Sequence, residues 1–186
     1  MLVESRVVPA PGLDLDAFAS DRPTQRHGCG VVSDAAQSSL IDGVRLTGLI
    51  RNEDARGSLH ELLTTRDGPV EPIVHVYQVS AAPGSIRAWV YHRHQYDRLA
   101  YTNGDLEVVL YDLRPGSRTL HHLNVLKVGK DYPCLLRIPP YVVHGIRNNG
   151  AEWAHFTNMP TNVYHNDKPD KFRLPYGDPR VPYTFE

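Results

Sequence analysis

The sequence has little of what marks membrane, secreted or nucleic-acid-binding proteins. No run of about 18 apolar residues occurs, so we expect no membrane-spanning helix. The 186 residues carry a formal net charge of −1, which gives no electrostatic attraction to nucleic acid or to an anionic membrane. Residues 1–11 lack a basic start followed by an apolar core, so we expect no signal peptide.

Cysteine is also scarce. The chain has two cysteines, Cys29 and Cys134, which are far apart and form no CxxC motif. Without a secretion signal, two separate cysteines are typical of free thiols in a reducing compartment. The predicted location is therefore the cytoplasm.

The apolar periodicity of a long helix is missing after residue 40. Short β-branched and aromatic segments stand there instead, separated by glycine and proline. They predict strands over 44–50, 58–65, 73–80, 106–112, 119–126, 134–138, 142–147 and 152–159. Short strands at regular spacing with turns between them indicate an all-β sandwich or barrel.

The chain length fits one domain with a sizeable core. Residues 1–40 read as an N-terminal extension or arm, with one short helix over 13–19. Residues 41–186 read as the barrel domain, which ends in a loop-rich tail from residue 162.

Histidines mark two segments of the predicted barrel. His92 and His94 alternate along one strand, so they are expected to share a face, and Asp97 follows them. His144 stands in a second segment after a pair of prolines. We predict that two hairpins bring these side chains into one interior pocket.

Two interpretations of this pocket stay open. Histidines with a carboxylate are common ligands of divalent metals, which makes His92, His94, Asp97 and His144 a candidate metal site. The same side chains could instead bind a substrate without a metal. Their spacing resembles the double motif of the cupin superfamily, with Asp97 where many cupins have Glu and Tyr141 where Gly is usual.

A longer resemblance runs from about residue 41 to the C-terminus. Its motifs are DARGSLHE at 54–61, QVS at 78–80, PGSIR at 83–87, YDLRPGS at 111–117 and IPPYVVHG at 138–145. In this order they resemble the dTDP-4-dehydrorhamnose 3,5-epimerase family. The resemblance implies a cupin jelly-roll barrel that acts on a nucleotide-linked 4-keto sugar, forms a homodimer and needs no cofactor.

The resemblance also implies site residues. His144 would help to polarise the sugar carbonyl, and Tyr164 would stack on the base. Arg56 and Glu61 have a second interpretation as a structural ion pair. The substrate-binding residues that we predict are Arg56, Glu61, Gln78, Arg87, Arg98, Tyr101 and Tyr164.

Three positions depart from the family pattern. The catalytic base is replaced by Val90, the lysine that stabilises the enolate by Asp97, and the catalytic tyrosine by Phe156. None of these three side chains can do the work of the residue it replaces. We therefore predict that His92 is a relocated base that Asp97 orients.

In this prediction His94 or Arg98 helps at the oxyanion. The sequence leaves three hypotheses for function. The first is an epimerase or isomerase of a nucleotide-activated keto sugar or a related keto metabolite. The second is a metal-dependent cupin enzyme, and the third is a sugar-binding cupin without catalysis.

Overall fold

The computed structural model describes residues 33–66 and 68–186. The predicted helix over 13–19, most of the expected arm and Cys29 lie outside the described residues. In the described part no helix is long and apolar enough to cross a bilayer. The elements of the described residues are α1 (Asp34–Ser38), β1 (Arg45–Gly48), β2 (Ile50–Asp54), β3 (Gly57–Glu61), β4 (Tyr77–Ala81), β5 (Ile86–Tyr91), β6 (Asp97–Tyr101), β7 (Asp105–Asp112), β8 (Leu123–Gly129), β9 (Cys134–Ile138), β10 (Val142–Asn148), β11 (Ala154–Asn158) and β12 (Phe172–Arg173).

Two antiparallel five-stranded sheets form the barrel. The first sheet has the order β1-β9-β6-β11-β4, and the second has the order β12-β5-β10-β7-β8. Strands β2 and β3 pair only with each other, as a separate hairpin. The architecture confirms the all-β prediction.

Strand β7 shows why the sequence forms a layered barrel. Leu106, Val108 and Leu110 alternate onto the face that packs in the main core between the sheets. Val109 lies on the opposite face, in a second buried cluster that also contains Phe185 from the tail. The tail therefore covers the outer face of the second sheet, and β7 is buried on both sides.

The two predicted hairpins are in fact crossings between the sheets. Strand β5 belongs to the second sheet and β6 to the first, so residues 92–96 carry the chain from one to the other. Strands β9 and β10 are divided in the same way. The backbone N–H of Tyr141 donates to the carbonyl of His92 over 2.7 Å, which joins the two crossings.

Two strands begin later than the sequence suggests. The segment predicted over 119–126 becomes β8 only at Leu123, because the Asp112 carboxylate holds the preceding residues in a turn. This carboxylate accepts the Ser117 and Thr119 hydroxyl groups over 2.6 and 2.8 Å. The segment predicted over 73–80 is a strand only from Tyr77.

Candidate active site

A cavity lies between the two sheets, beside the crossings. The first sheet contributes Tyr77, Val79, Asp97, Leu99, Phe156 and Asn158 to its wall. The second sheet contributes Arg87, Ala88, Val90, His144, Ile146 and Arg173. His92 and Lys171 complete the wall from positions next to β5 and β12.

The Asp97 carboxylate is the centre of the polar wall. Its Oδ2 lies 3.2 Å from Nε2 of His92 and 3.4 Å from Nε2 of His144. Its Oδ1 accepts the side-chain amides of Gln95 and Asn158, each over 2.9 Å. Burial alone would raise the pKa of Asp97, but the hydrogen bonds and charges of the two imidazoles hold it well below its ordinary value. Asp97 is therefore a buried, ionised carboxylate.

His92 is bonded through both ring nitrogens. Its Nδ1–H donates to the backbone carbonyl of Asp170, which can only accept, while its Nε2 faces Asp97. Burial lowers the pKa of His92, but the hydrogen bond and charge of Asp97, with the Asp170 carbonyl, outweigh it and raise the pKa above its usual value. This geometry favours the imidazolium form of His92.

His144 faces the same carboxylate from the second sheet. Its Nδ1 lies 3.2 Å from the carbonyl of Val142, and its Nε2 lies 3.4 Å from Oδ2 of Asp97. The ring centroids of His92 and His144 are 6.0 Å apart. The predicted convergence of the two imidazoles in one cavity is therefore present.

Asp170 shapes the crossing that carries His92. Its carboxylate accepts the backbone N–H groups of Arg93, His94 and Gln95 over 2.9, 2.9 and 3.1 Å. Burial alone would raise the pKa of Asp170, but these three N–H groups lower it. Asp170 thus holds the loop with its side chain and the His92 ring with its carbonyl.

Three cations lie around the cavity, namely Arg87, Lys171 and Arg173. Burial, followed by the positive charge of Arg173, lowers the pKa of Lys171. Arg87 donates to the carbonyl of Ser80 over 3.4 Å, and it forms no ion pair with an acidic side chain of residues 33–66 or 68–186. This side of the cavity is suited to an anionic ligand.

His94, Arg98 and Tyr101 are among the predicted site residues that do not line the cavity. His94 is exposed, because the chain leaves the strand geometry after Tyr91 and the alternation with His92 ends there. Arg98 is buried, and its guanidinium donates to the carbonyls of Glu71, Pro72 and Met159. Tyr101 is completely buried in the core, where its ring packs on Phe156. The expected roles of His94 and Arg98 at the oxyanion therefore lack the necessary geometry.

Of the other predicted binding residues, one lines the cavity and four do not. Arg87 lines the cavity, whereas Gln78 and Tyr164 are exposed and do not. Arg56 is at the tip of the β2–β3 hairpin, where it pairs with Asp54. Glu61, at the end of the same hairpin, pairs with Arg66. Of the described residues, none in 33–66 contributes to the wall of the cavity.

The three departures from the family pattern all lie in the wall of the cavity. Val90 is paired with His144 across β5 and β10, and Asp97 and Phe156 face it from the first sheet. The substitutions therefore change the site itself rather than a remote surface.

The sequence does not identify several side chains at the cavity and the crossing. The sequence predicts that Tyr77 and Asn158 lie in strands. Only the register between β4 and β11 shows that they are opposite each other. Asp170 and Lys171 belong to the tail, for which the sequence predicts loop. No local pattern marks them, since His92 and the Asp170 carbonyl are 78 residues apart in sequence.

The metal hypothesis retains three of its four predicted ligands. His92, Asp97 and His144 each offer one ligand atom, and these atoms lie within 4.8 Å of one another. Two imidazoles and one carboxylate are a donor set that divalent transition metals accept. His94 does not belong to this group. The same three side chains also satisfy one another as hydrogen-bonding partners.

Comparisons with known proteins point to sugar epimerases. The chain is 34% identical over 146 residues to a spore coat polysaccharide biosynthesis protein of Bacillus subtilis, an alignment that covers 78% of this chain and 97% of the relative. It is 34% identical over 141 residues to a probable low-salt glycan biosynthesis epimerase of Haloferax volcanii, which covers 73% and 88%. No protein-family model matches the chain.

Solved structures share the fold. A dTDP sugar isomerase of Desulfovibrio desulfuricans has a TM-score of 0.73 and 26% identity, over 77% of this chain and 91% of its own. A dTDP-4-dehydrorhamnose 3,5-epimerase of Elizabethkingia anophelis has a TM-score of 0.64 and 17% identity, over 77% and 81%. The two facing sheets are therefore the jelly-roll barrel of the cupins.

Proposed function

Because the chain belongs to the dTDP-4-dehydrorhamnose 3,5-epimerase family of cupins, we propose that it epimerises or isomerises a nucleotide-linked 4-keto sugar with a rearranged set of catalytic residues. The chain is an epimerase-like isomerase of carbohydrate biosynthesis. The finer assignments, which are substrate, catalytic residues and assembly, are our proposals. The observation that carries them is the imidazole–carboxylate–imidazole cluster of His92, Asp97 and His144 inside the barrel.

The first step of such a reaction removes a proton from a carbon beside a ketone. We assign this step to His144, whose imidazole lines the cavity from the second sheet. His92 is the base that the sequence predicts, but Asp97 and the Asp170 carbonyl outweigh burial and raise the pKa of His92, which favours the protonated ring. We assign His92 instead the role of a fixed positive charge beside Asp97.

Removal of the proton produces negative charge on the ketone oxygen, which needs a nearby cation or hydrogen-bond donor. The family lysine is replaced by Asp97, but Lys171 reaches the same cavity from the tail. We assign the stabilisation of the enolate oxygen to Lys171. This choice replaces the expected contribution of His94 and Arg98, neither of which lines the cavity.

The remaining cations suit the nucleotide part of the substrate. Arg87 and Arg173 carry guanidinium groups at the cavity. Each guanidinium can donate two parallel hydrogen bonds to the oxygens of a diphosphate. Three cations around a cavity with one ionised carboxylate give a net attraction for a nucleoside diphosphate. The partner that we propose is therefore a nucleotide sugar.

We also propose a homodimer. Strand β4 is an edge of the first sheet, and exposed edges are places where another chain can pair. Ile73 and Val76, just before β4, and Leu59 in β3 are each more than half exposed, which suggests an apolar surface that a second chain covers. In this assembly Arg56 and Glu61 would serve the partner's cavity. The proposed location remains the cytoplasm, which agrees with the free thiol of buried Cys134.

Incubation with a dTDP-4-keto-6-deoxyhexose in heavy water tests this function. We expect deuterium at the carbons beside the ketone, together with an epimer or positional isomer, detected by NMR and mass spectrometry. The His144→Ala variant should bind dTDP but lose this exchange. Tight binding of the sugar nucleotide by the wild type without exchange would instead indicate a binding protein, and exchange that persists in His144→Ala would move the base elsewhere.

A further inference from the structure

The cavity contains a phenol that lies outside the motifs of the family resemblance. Tyr77 begins β4, and its side chain lines the cavity while the residue remains 36% exposed. Its hydroxyl oxygen accepts a hydrogen bond from Nδ2 of Asn158 over 2.8 Å. Tyr77 is therefore held in place and still accessible from the cavity.

The orientation of the Asn158 amide is fixed by its neighbours. Its Oδ1 accepts the backbone N–H of Arg98 over 3.2 Å, so its Nδ2 must face Tyr77 and Asp97. An amide nitrogen only donates, so the Tyr77 oxygen is an acceptor in this contact. The phenol hydrogen thus remains available for a different acceptor in the cavity.

The position of Tyr77 relates directly to the lost family tyrosine. Strands β4 and β11 pair so that Tyr77 is opposite Asn158 and Val79 is opposite Phe156. Alternate residues of a strand share a face, so Tyr77 lies on the same face of β4 as Val79, the partner of Phe156. Tyr77 therefore reaches the same cavity as Phe156. A hydroxyl group missing from β11 is thereby present on the adjacent strand.

Tyr77 and His144 come from facing sheets. A substrate in the cavity would therefore have the imidazole of the second sheet on one side and the phenol of the first sheet on the other. Epimerisation requires removal of a proton from one face of a carbon and delivery of a proton to the opposite face. Two acid–base groups on opposite walls meet this requirement.

We propose that Tyr77 is the catalytic acid that returns the proton to the substrate, an inference that rests on the proposed epimerase function. The base takes a proton from the carbon beside the ketone, and the C–H electron pair forms the enolate. As the ketone forms again, the O–H bond of Tyr77 breaks and a new C–H bond forms on the opposite face. Water then reprotonates the phenolate and accepts the proton from the base, so the sugar changes only in configuration.

The surroundings of Tyr77 suit this role. The Asn158 N–H stabilises the phenolate while it exists, since it already donates to the same oxygen. Burial, followed by the negative charge of Asp97, raises the pKa of Tyr77, so the phenol keeps its proton at neutral pH. The charged and titratable groups that face it are Asp97, Arg87 and the ring of His75.

The Tyr77→Phe variant tests the assignment, with Tyr132→Phe as a control that alters an exposed tyrosine away from the cavity. In heavy water we expect Tyr77→Phe to form the epimer about 100-fold more slowly or worse. Its affinity for dTDP should stay close to that of the wild type. Deuterium exchange should continue with retained configuration, so the ratio of exchange to inversion rises.

Three results separate the hypotheses. A wild type without any exchange contradicts the proposed function itself. An active wild type and an equally active Tyr77→Phe contradict only the role of Tyr77. If Tyr77→Phe does not bind dTDP, or is less stable than the wild type, a protein with 3,5-difluorotyrosine at position 77 is tested instead. That residue keeps the shape but lowers the pKa of the phenol, so the alkaline limit of epimer formation should move to lower pH, and an unchanged limit overturns the proposal.

Discussion

Asp97 and His144 come from opposite sheets, yet Oδ2 of Asp97 lies 3.4 Å from Nε2 of His144. The same oxygen is 3.2 Å from His92. One carboxylate therefore connects the two walls of the cavity and contacts both imidazoles. A cluster in which two imidazole rings share one carboxylate is suited to the transfer of a single proton.

The Asp97→Asn variant should show this dependence directly. The carboxylate raises the pKa of His92, so its removal should lower the midpoint of the His92 titration, measured by NMR of the imidazole. Activity should fall by about 10²–10⁴-fold, as expected for lost acid–base catalysis. Asp131→Asn, at an exposed turn, is the control for a general charge effect. An unchanged His92 midpoint in Asp97→Asn would contradict the assignment.

The Asp170→Asn variant should weaken the crossing and shift its pH dependence. The pKa of Asp170 is below its unfolded value of about 3.9, so its contribution to stability is present above about pH 4 and is lost as the pH falls. We expect a loss of about 1.5–3 kcal/mol at pH 7, the range for hydrogen bonds to a charged group, and a smaller difference below pH 4. Urea unfolding at several pH values measures it.

Asp167→Asn is a matched control, because Asp167 is exposed in the same tail segment. This control should unfold like the wild type at every pH. Equal stability of Asp170→Asn and Asp167→Asn would show that the three backbone contacts of Asp170 contribute nothing in solution.

Local pattern was enough to predict strand content and the approach of His92 to His144. Alternation along β5 and β10, with turn residues between the strands, carries that information. The pattern does not say whether two consecutive strands share a sheet. A hairpin that carries His92 and His94 on one strand would place both side chains on the same face. The crossing between β5 and β6 instead turns His94 outward.

Contacts between distant segments account for the rest of the site. Lys171 reaches the cavity, and Asp170 reaches the crossing beside it, because β12 pairs with β5. Two residues of strand in a proline-rich tail give no recognisable signal in the sequence. Tyr101 looked like a pocket residue because it is aromatic and follows Asp97 on the same strand. All five residues of β6 are buried, however, so Tyr101 belongs to the core.

Removal of divalent metals should leave the activity unchanged. In the proposed reaction His144 takes the proton and Lys171 stabilises the oxygen, so no step needs a metal. The measurement is epimer formation after dialysis against a chelator, with elemental analysis of protein purified without an affinity tag. Loss of activity that one divalent ion restores would favour the metal-dependent hypothesis, with His92, Asp97 and His144 as ligands.

Gly145 should be intolerant of even one methyl group. A Cβ at this position would lie 2.7 Å from the Ala88 side chain and 2.7 Å from the ring of Trp89, which is completely buried. We expect Gly145→Ala to lose about 1–3 kcal/mol of unfolding free energy in urea, as for other overpacked sites. Ala88→Gly in the same chain removes one of the two contacts and should restore part of the loss. Equal midpoints for Gly145→Ala and the wild type would contradict this packing.

Mixed dimers test whether Arg56 serves the partner's cavity. Arg56 is on the β2–β3 hairpin, and no residue of that hairpin lines the cavity of its own chain. At low substrate concentration, Arg56→Ala and His144→Ala should each be poorly active alone. In a dimer with one chain of each type, one cavity has both changes and the other has neither.

Refolding equal amounts of the two variants together should therefore restore about a quarter of the wild-type activity, because half of the dimers are mixed and each has one intact cavity. The control is the double variant Arg56→Ala/His144→Ala refolded with Arg56→Ala, a mixture that contains no intact cavity in any dimer. Light scattering must show a dimer in each case. Activity no higher than the mean of the two separate variants would place Arg56 outside the partner's site.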